Sequence, residues 1–312
     1  MRRPASLLPV LAATALLLTA CGTQHSGPGN TNADAAGPPP RTQVDDPGKN
    51  GVRITSLTLP SASPSPTRST SVSADSLPGD SGILAAYEVT NNSAKSLTYS
   101  VVFTFMSSDG GAVVNQTTTV RDVGSGKTVR GTVRAGELPP TAPRVTQAKV
   151  LEVTTVPAGE APAEPGTCPA SGIRVSADKG DAAMGLRVVG LHVDNCGKSD
   201  YTVEGYPLLE LLDDDLGPVD GIEVLDGSGD ITTGVGPDEP PRPITLKPGE
   251  SATARLVWRN TTEAGTAVNV PHVRVRAKAG ADPVTVTPHL DLGTTGKLGV
   301  TPWAKAERQS GP

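Results

Sequence analysis

The chain has 312 residues, of which 35 are glycine and 30 are proline, and only 3% are aromatic. Glycine and proline at this level are typical of short strands joined by many turns, and the length leaves room for about two domains. The formal net charge is −5, which excludes the basic excess that nucleic-acid-binding proteins carry, so we predict no nucleic-acid partner.

The amino terminus has the layout of an export signal. Two arginines at positions 2 and 3 precede an apolar run over 7–18, which is too short to cross a bilayer of roughly 30 Å. The pattern Leu-Thr-Ala-Cys-Gly at 18–22 resembles the lipobox of bacterial lipoproteins. This resemblance implies a signal peptide over 1–20, acylation of the Cys21 thiol with fatty chains such as palmitate, and attachment to the extracytoplasmic face of the cell membrane. The alternative is an ordinary secretory signal with a chance cysteine.

Residues 21–50 follow this anchor as a tether. They are rich in Gly, Pro, Asn and Ala and have no apolar periodicity, which predicts disorder. A flexible chain of that length spans about 30 Å, so the tether would hold the folded part away from the membrane.

Residues 51–157 predict a first β-sandwich domain. Apolar residues alternate with polar ones over 83–89 and 97–105, which is the pattern of half-buried strands. A segment rich in Ser, Pro and Thr over 60–82 interrupts the pattern. It is either a disordered insert, with glycosylation left open, or evidence that the strand over 52–59 lies outside the domain.

A segment rich in Pro, Ala and Glu over 158–166 predicts a linker, and residues 167–303 predict a second β-sandwich domain. Many short strands at this spacing, with no long helix, indicate an all-β protein of two immunoglobulin-like sandwiches. Residues 304–312 are predicted to be a disordered tail.

Cysteine number predicts one disulfide. If Cys21 is acylated, Cys168 and Cys196 remain as an even pair in an oxidising compartment, where a disulfide between them is the default.

The hairpin between these cysteines suggests a register. A turn centred near 181–182 sets Ile173 opposite Leu191 and Val175 opposite Val189. The same register sets the two cysteines opposite each other, within reach of a disulfide.

Several short motifs in the second domain occur in a fixed order. They are Cys168, Asn195-Cys196-Gly197, Gly205-Tyr206-Pro207, Leu246-Lys247-Pro248-Gly249, Trp258-Arg259-Asn260 and Asp291-Leu292-Gly293-Thr294-Thr295-Gly296. Together they resemble the family catalogued as domain of unknown function 4232, over roughly 167–303. Members are found mostly on secreted proteins and lipoproteins of high-GC Gram-positive bacteria. The family has no established activity, so the resemblance implies fold and location only.

Two motifs mimic catalytic or nucleotide-binding sequences. Gly-Asp-Ser-Gly at 79–82 copies the nucleophile segment of chymotrypsin-like proteases, but the only histidine before Ser81 is His25 in the tether, so no triad is predicted. Gly-Ser-Gly-Lys-Thr at 124–128 lacks the first glycine of a phosphate loop, because Arg121 stands there. A strand pattern follows instead of a helix, so we predict a hairpin turn.

The metal-ligand residue types show no metal spacing. Carboxylates cluster over 213–230, but the glycine offsets do not fit a calcium loop, and calcium binding there is left open. His192, His272 and His289 have no paired spacing, so we predict no metal site unless the fold gathers them.

Tyr206 and Trp258 lie in apolar alternation and are predicted core aromatics.

These patterns favour a non-catalytic lipoprotein of the cell envelope. It would use no cofactor and bind a protein, a wall polymer or a small ligand through its loops. The alternatives are a wall-modifying hydrolase with an unrecognised site, which a pocket holding converging His, Asp or Glu would favour, or a structural spacer.

Overall fold

The computed structural model describes residues 41–44, 46–60, 80–235 and 240–306. The predicted signal peptide, Cys21, most of the tether, most of the Ser/Pro-rich insert and the end of the predicted tail lie outside these residues. Within them the protein is all-β: it has strands and one 3-10 helix but no α-helix, which confirms the predicted class.

The N-terminal body (residues 41–157) contains seven strands. They are β1 (Arg41–Gln43), β2 (Val52–Thr58), β3 (Leu84–Thr90), β4 (Leu97–Ser107), β5 (Ala112–Val123), β6 (Thr128–Arg134) and β7 (Val145–Pro157). One sheet has the order β1-β2-β3-β6 and the other the order β5-β4-β7. Alternate residues of both sheets form one core, where the rings of Tyr87 and Phe103 lie 4.9 Å apart. Burial of each such aromatic side chain stabilises the fold by about 1.5–3 kcal/mol.

The C-terminal body (residues 167–306) contains fourteen shorter strands among the described residues. They are β8 (Ile173–Ala177), β9 (Asp181–Ala183), β10 (Leu186–Asn195), β11 (Tyr201–Val203), β12 (Leu208–Leu212), β13 (Glu223–Asp226), β14 (Ile244–Leu246), β15 (Ser251–Arg259), β16 (Asn269–Val270), β17 (His272–Arg276), β18 (Val284–Val286), β19 (Leu290–Asp291), β20 (Lys297–Val300) and β21 (Ala304–Lys305). The main sheet has the order β13-β20-β15-β10-β8. Its inner face packs into a second core around Trp258 and Trp303.

The predicted disulfide is present, with 5.7 Å between the Cα atoms of Cys168 and Cys196. The register used to argue for it is wrong by four residues, because Val175 pairs with Val193 and not with Val189. The hairpin turns at Met184 and Gly185, whose φ angles are 48° and 81°. Two positive φ angles are the signature of a type I′ turn.

Four extra residues before β8 compensate for this shift. Residues 169–172 form a turn in which the Gly172 N–H donates to the Pro169 carbonyl, and Gly172 has a φ of 74° that suits glycine. Its own carbonyl accepts from the Cys196 N–H at 3.0 Å. The turn therefore brings Cys168 to Cys196 although the strands pair differently from the prediction.

Each of the two bodies contains a turn of the same kind, built around a buried asparagine. In the N-terminal body Asn91 directly follows β3, and its Nδ2 donates to the carbonyls of Lys95 and Val123 at 2.8 and 2.7 Å. The Asn91 backbone bonds the turn before β6 in both directions, to Gly126 and Lys127. The backbone and side chain of this one residue thus join three chain segments.

Asn195 occupies the same position in the C-terminal body, at the end of β10. Its Nδ2 donates to the carbonyls of Ser199 and Leu246, both at 2.8 Å, and its backbone bonds Gly249 and Glu250 before β15. The spacing and the partners match those of Asn91, so both bodies use the same local plan.

The predicted linker is bonded to both bodies. The 3-10 helix Ala158–Glu160 follows β7 directly, and the Glu160 Oε2 atom accepts from Arg274 Nε at 2.8 Å and from Thr285 Oγ1 at 2.7 Å. Arg121 of the N-terminal body donates to the Pro162 carbonyl at 2.9 Å and to Glu164 at 3.0 Å. Contacts accordingly place Pro39–Pro312 in a single unit with two cores.

Two short strands lie where the composition predicts disorder. Arg41–Gln43, in the predicted tether, pair with β2, and Ala304–Lys305, in the predicted tail, pair with β15. Both strands are held by hydrogen bonds of the main chain, and an apolar pattern in the sequence gives no information about such bonds.

Candidate functional site

A polar cleft of about 730 Å³ lies between the two bodies. The N-terminal body contributes the loops over 49–51 and 90–93 and part of β7, and the C-terminal body contributes the turn after β12, the start of β17 and His289. Because the walls come from both bodies, the shape of the cleft depends on how the joining segment (residues 158–166) holds them. The lining residues are Lys49, Asn50, Gly51, Thr90, Asn91, Asn92, Ser93, Leu97, Tyr99, Glu152, Val153, Thr154, Thr155, Asp214, Asp215, Pro271, His272 and His289.

His272 is the buried titratable group of the cleft, with 2% of its surface exposed. Desolvation lowers the pKa of its imidazole, and the negative charge of Asp214 only partly opposes this effect, so the ring is neutral at pH 7. Its Nδ1 atom has no hydrogen-bond partner among the described residues. A buried polar atom without a hydrogen-bond partner costs about 1–3 kcal/mol.

His289 joins the cleft from the segment before β19 and has a φ of 49°. Its Nε2 atom lies 3.6 Å from the Glu152 Oε1 atom on β7, so the pair links the two bodies whenever the imidazole is protonated. Both side chains are half exposed, and solvent screening keeps such a pair weak. Lys49, on the same side as Glu152, donates from Nζ to the Leu151 carbonyl at 3.2 Å.

The acidic turn after β12 divides its carboxylates between two roles. Asp213 stabilises the turn, since its Oδ1 atom accepts from the N–H groups of Asp215 and Gly217 at 2.9 and 2.8 Å. Asp214 and Asp215 line the cleft, and their carboxylates have no hydrogen-bond or ion-pair partner within the described part of the chain. The described residues include no group of three His, Cys, Asp or Glu side chains close enough to share a metal ion.

The fold thus brings two of the three histidines together. His192 lies elsewhere, on β10, with its Nε2 atom 3.4 Å from the Asp178 carboxylate on the outer surface of the hairpin. The sequence shows no signal for this grouping, because the cleft residues come from positions between 49 and 289 with no regular spacing.

The two mimicking motifs are structural. Ser81 lies beside Gly136, to whose carbonyl its N–H donates at 3.0 Å, and no described histidine bonds its hydroxyl. The 124–127 segment is a turn, closed by the Lys127 N–H on the Gly124 carbonyl at 3.0 Å. The predicted hairpin is wrong, because the turn joins β5 to β6 and these two strands lie in different sheets.

Both predicted core aromatics pack against the C-terminal core. Trp258 is buried and its Nε1 atom donates to Asp291 Oδ1 at 2.7 Å, while Tyr206 is partly buried. A second, less polar cavity of about 520 Å³ lies beside the disulfide, where the Lys278 ammonium stands 4.0 Å above the Tyr201 ring.

Comparison with known proteins finds a family match for one part of the chain. Residues 168–304 match the family described as Domain of unknown function (DUF4232), which agrees with the resemblance found in the motifs. No curated protein matches the chain. Among the described residues, no helix is long and apolar enough to span a membrane.

Proposed function

We propose that this protein is a lipoprotein of the cell envelope that binds a ligand in the cleft between its two bodies without transforming it. Cys21 carries the acyl chains, and the folded part lies on the extracytoplasmic side of the membrane. The observation that carries the proposal is the cleft itself, a polar cavity with walls from two bodies that a bonded joining segment holds in place.

The proposed location is supported by two independent features. The lipobox pattern at 18–22 follows an apolar run of signal-peptide length. The Cys168–Cys196 disulfide suits an oxidising compartment outside the cytoplasm. Two or more acyl chains hold a protein firmly, since each buried methylene adds about 0.8 kcal/mol.

We further propose that both bodies are immunoglobulin-like sandwiches. Two sheets enclose one core in the N-terminal body, and the asparagine turn recurs in the C-terminal body at the same place between strands. A common plan explains why the same turn occurs in both bodies, although the family model matches residues 168–304.

A wall-modifying hydrolase is the second candidate, because the cleft holds a buried histidine of lowered pKa beside carboxylates. Binding is favoured over hydrolysis since no described hydroxyl nucleophile is hydrogen-bonded to either cleft histidine. Release of products from purified wall material by the protein, and its loss in His272→Phe, would establish the hydrolase.

The anchor is tested by substitution of the acylated thiol. Cys21→Ala should move the protein from the membrane fraction to the medium and abolish labelling by a palmitate analogue, because no other side chain at that position can form the thioether. Gln24→Ala, three residues further on, is the control and should stay labelled. Unchanged labelling of Cys21→Ala would remove the lipoprotein from the proposal.

Binding in the cleft is tested by crosslinking on intact cells. A photo-reactive residue at Asn92, which is exposed at the cleft, should give a discrete adduct. The same residue at Met184, which is fully exposed at the tip of the β9–β10 hairpin, should not. Equal adducts at both positions, or none at Asn92, would contradict a cleft ligand.

A further inference from the structure

The cleft presents more negative charge than positive charge. Glu152, Asp214 and Asp215 line it, against the ammonium of Lys49, whose Nζ atom already donates to a backbone carbonyl. His289 adds a positive charge beside Glu152 only when its imidazole is protonated. The two aspartates come from the C-terminal body and the glutamate from the N-terminal body. An occupant between them would therefore face carboxylates on both walls.

Hydrogen-bond acceptors are also in excess. Asp214 and Asp215 have no partner for their carboxylates within the described residues, and ionised carboxylates only accept. His272 is buried, neutral at pH 7 and unpartnered at Nδ1, and its electrostatic neighbours include Asp214 and His289, so it belongs to the same wall. A neutral imidazole has one N–H donor and one lone-pair acceptor, so His272 adds an unpartnered polar group to this wall, while the excess of acceptors comes from the carboxylates.

We infer that the cleft binds its ligand through a protonated primary or secondary amine of that ligand. This inference rests on the proposed function, in which the cleft is a ligand site, and it adds the chemical class. An ammonium group supplies positive charge to the carboxylates and several N–H donors to acceptors that have none, and such charge-assisted bonds are the strong ones.

Other ligand classes fit less well. An anion would meet three carboxylates and one lysine that is already bonded. A metal ion needs three or more ligands around one point, and no three candidate side chains within the described residues are that close. An ammonium group on a chain reaches separate acceptors in turn, so it needs no such convergence.

Spermidine is the probe for the test, added to the folded mature protein in isothermal titration calorimetry at about 0.15 M salt, where the Debye length is about 8 Å. Tetramethylammonium, which is cationic but has no N–H group, is the control probe. A soluble wall peptide with a free amine is the third probe. Tighter binding of one amine than of the other assigns the source, and binding of either supports the inference.

Matched variants locate the site. Asp214→Asn/Asp215→Asn should weaken spermidine binding at least about tenfold, which is about 1.4 kcal/mol. Asp220→Asn/Asp226→Asn removes two exposed carboxylates of the same body outside the cleft lining, and should change the affinity less than about twofold at this salt concentration. His272→Phe should weaken binding while its circular dichroism spectrum stays that of a folded β-protein, and Glu152→Gln tests the opposite wall if that variant fails to fold.

Three results would overturn the inference: no saturable binding of either amine, equal binding of tetramethylammonium, or equal losses in the two double variants. If the amines fail while crosslinking at Asn92 still gives a discrete adduct, the cleft remains a ligand site and only the amine assignment is wrong.

Discussion

Glu160 is the residue of the joining segment whose loss should be felt most. Its carboxylate accepts from the Arg274 guanidinium and from Thr285, which is fully buried, and only 22% of its side chain is exposed. The same contact raises the pKa of Arg274. Glu160→Ala removes the acceptor of both bonds and the bond between the joining segment and the C-terminal sheet.

The expected cost follows from these contacts. A hydrogen bond to a charged group contributes about 1.5–3 kcal/mol, and Arg274 keeps its second partner, Glu210, at 2.6 Å, so we expect a loss of about 2 kcal/mol. For a folded part of this size that lowers the melting temperature by about 4–8 °C. With the two bodies less tightly coupled, the unfolding transition of Glu160→Ala should also be broader than that of the wild type or split in two.

Glu164→Ala is the matched control in the same segment. Its ion pair with Arg121 is 62% exposed on the glutamate side, and exposed pairs contribute at most about 1 kcal/mol. The measurement is thermal and urea unfolding followed by circular dichroism. Equal destabilisation by the two substitutions would refute the role given to Glu160.

Two further predictions concern the C-terminal body. Replacement of both Cys168 and Cys196 by serine should lower the free energy of unfolding by about 3–4 kcal/mol, because the disulfide closes a loop with a sequence separation of 28. Urea unfolding with and without reductant measures this loss. A wild-type protein whose unfolding does not change with reductant would contradict the prediction. Burial lowers the pKa of His272 below its ordinary 6.5, so the unfolded chain binds the proton more readily. The free energy of unfolding therefore has its full value above about pH 6.5, the pKa of an unfolded histidine. It falls as the pH decreases from there through the lower pKa that His272 has in the folded protein. His272→Phe should flatten that slope in urea midpoints between about pH 7.5 and 5, and identical slopes would disprove the effect.

The strands were predictable because half-buried strands leave a period of two in the sequence. β4 and β15 show it clearly, with Phe103 and Leu256 on the buried faces. The hairpin register was not predictable from the same pattern. A shift of four residues keeps every side chain on its face, so apolar pairing cannot distinguish the two registers. The register is decided by the turn, where Met184 adopts a positive φ angle. Methionine rarely has a positive φ angle, so the sequence does not predict a turn at this position.

The cleft could not be predicted from local sequence, since it forms where residues far apart in the chain meet. The common plan of the two bodies did leave a signal. Val-Thr-Asn at 89–91 runs one residue past the end of β3, and Val-Asp-Asn at 193–195 ends β10. In both cases the next strand starts six residues after the asparagine. The match is too short to stand out without the shared hydrogen bonds.

The buried asparagines also expose both bodies to the same slow chemical damage, which is deamidation of the side-chain amide. Deamidation of Asn91 or Asn195 would convert an NH₂ group that donates to two carbonyls into a carboxylate oxygen facing them. Acceptor would then stand against acceptor inside the protein, at a cost on the order of a few kcal/mol. Neither residue precedes glycine, the neighbour with the least steric hindrance to that reaction, and their burial holds the backbone in place, so the turn shields the groups on which it depends.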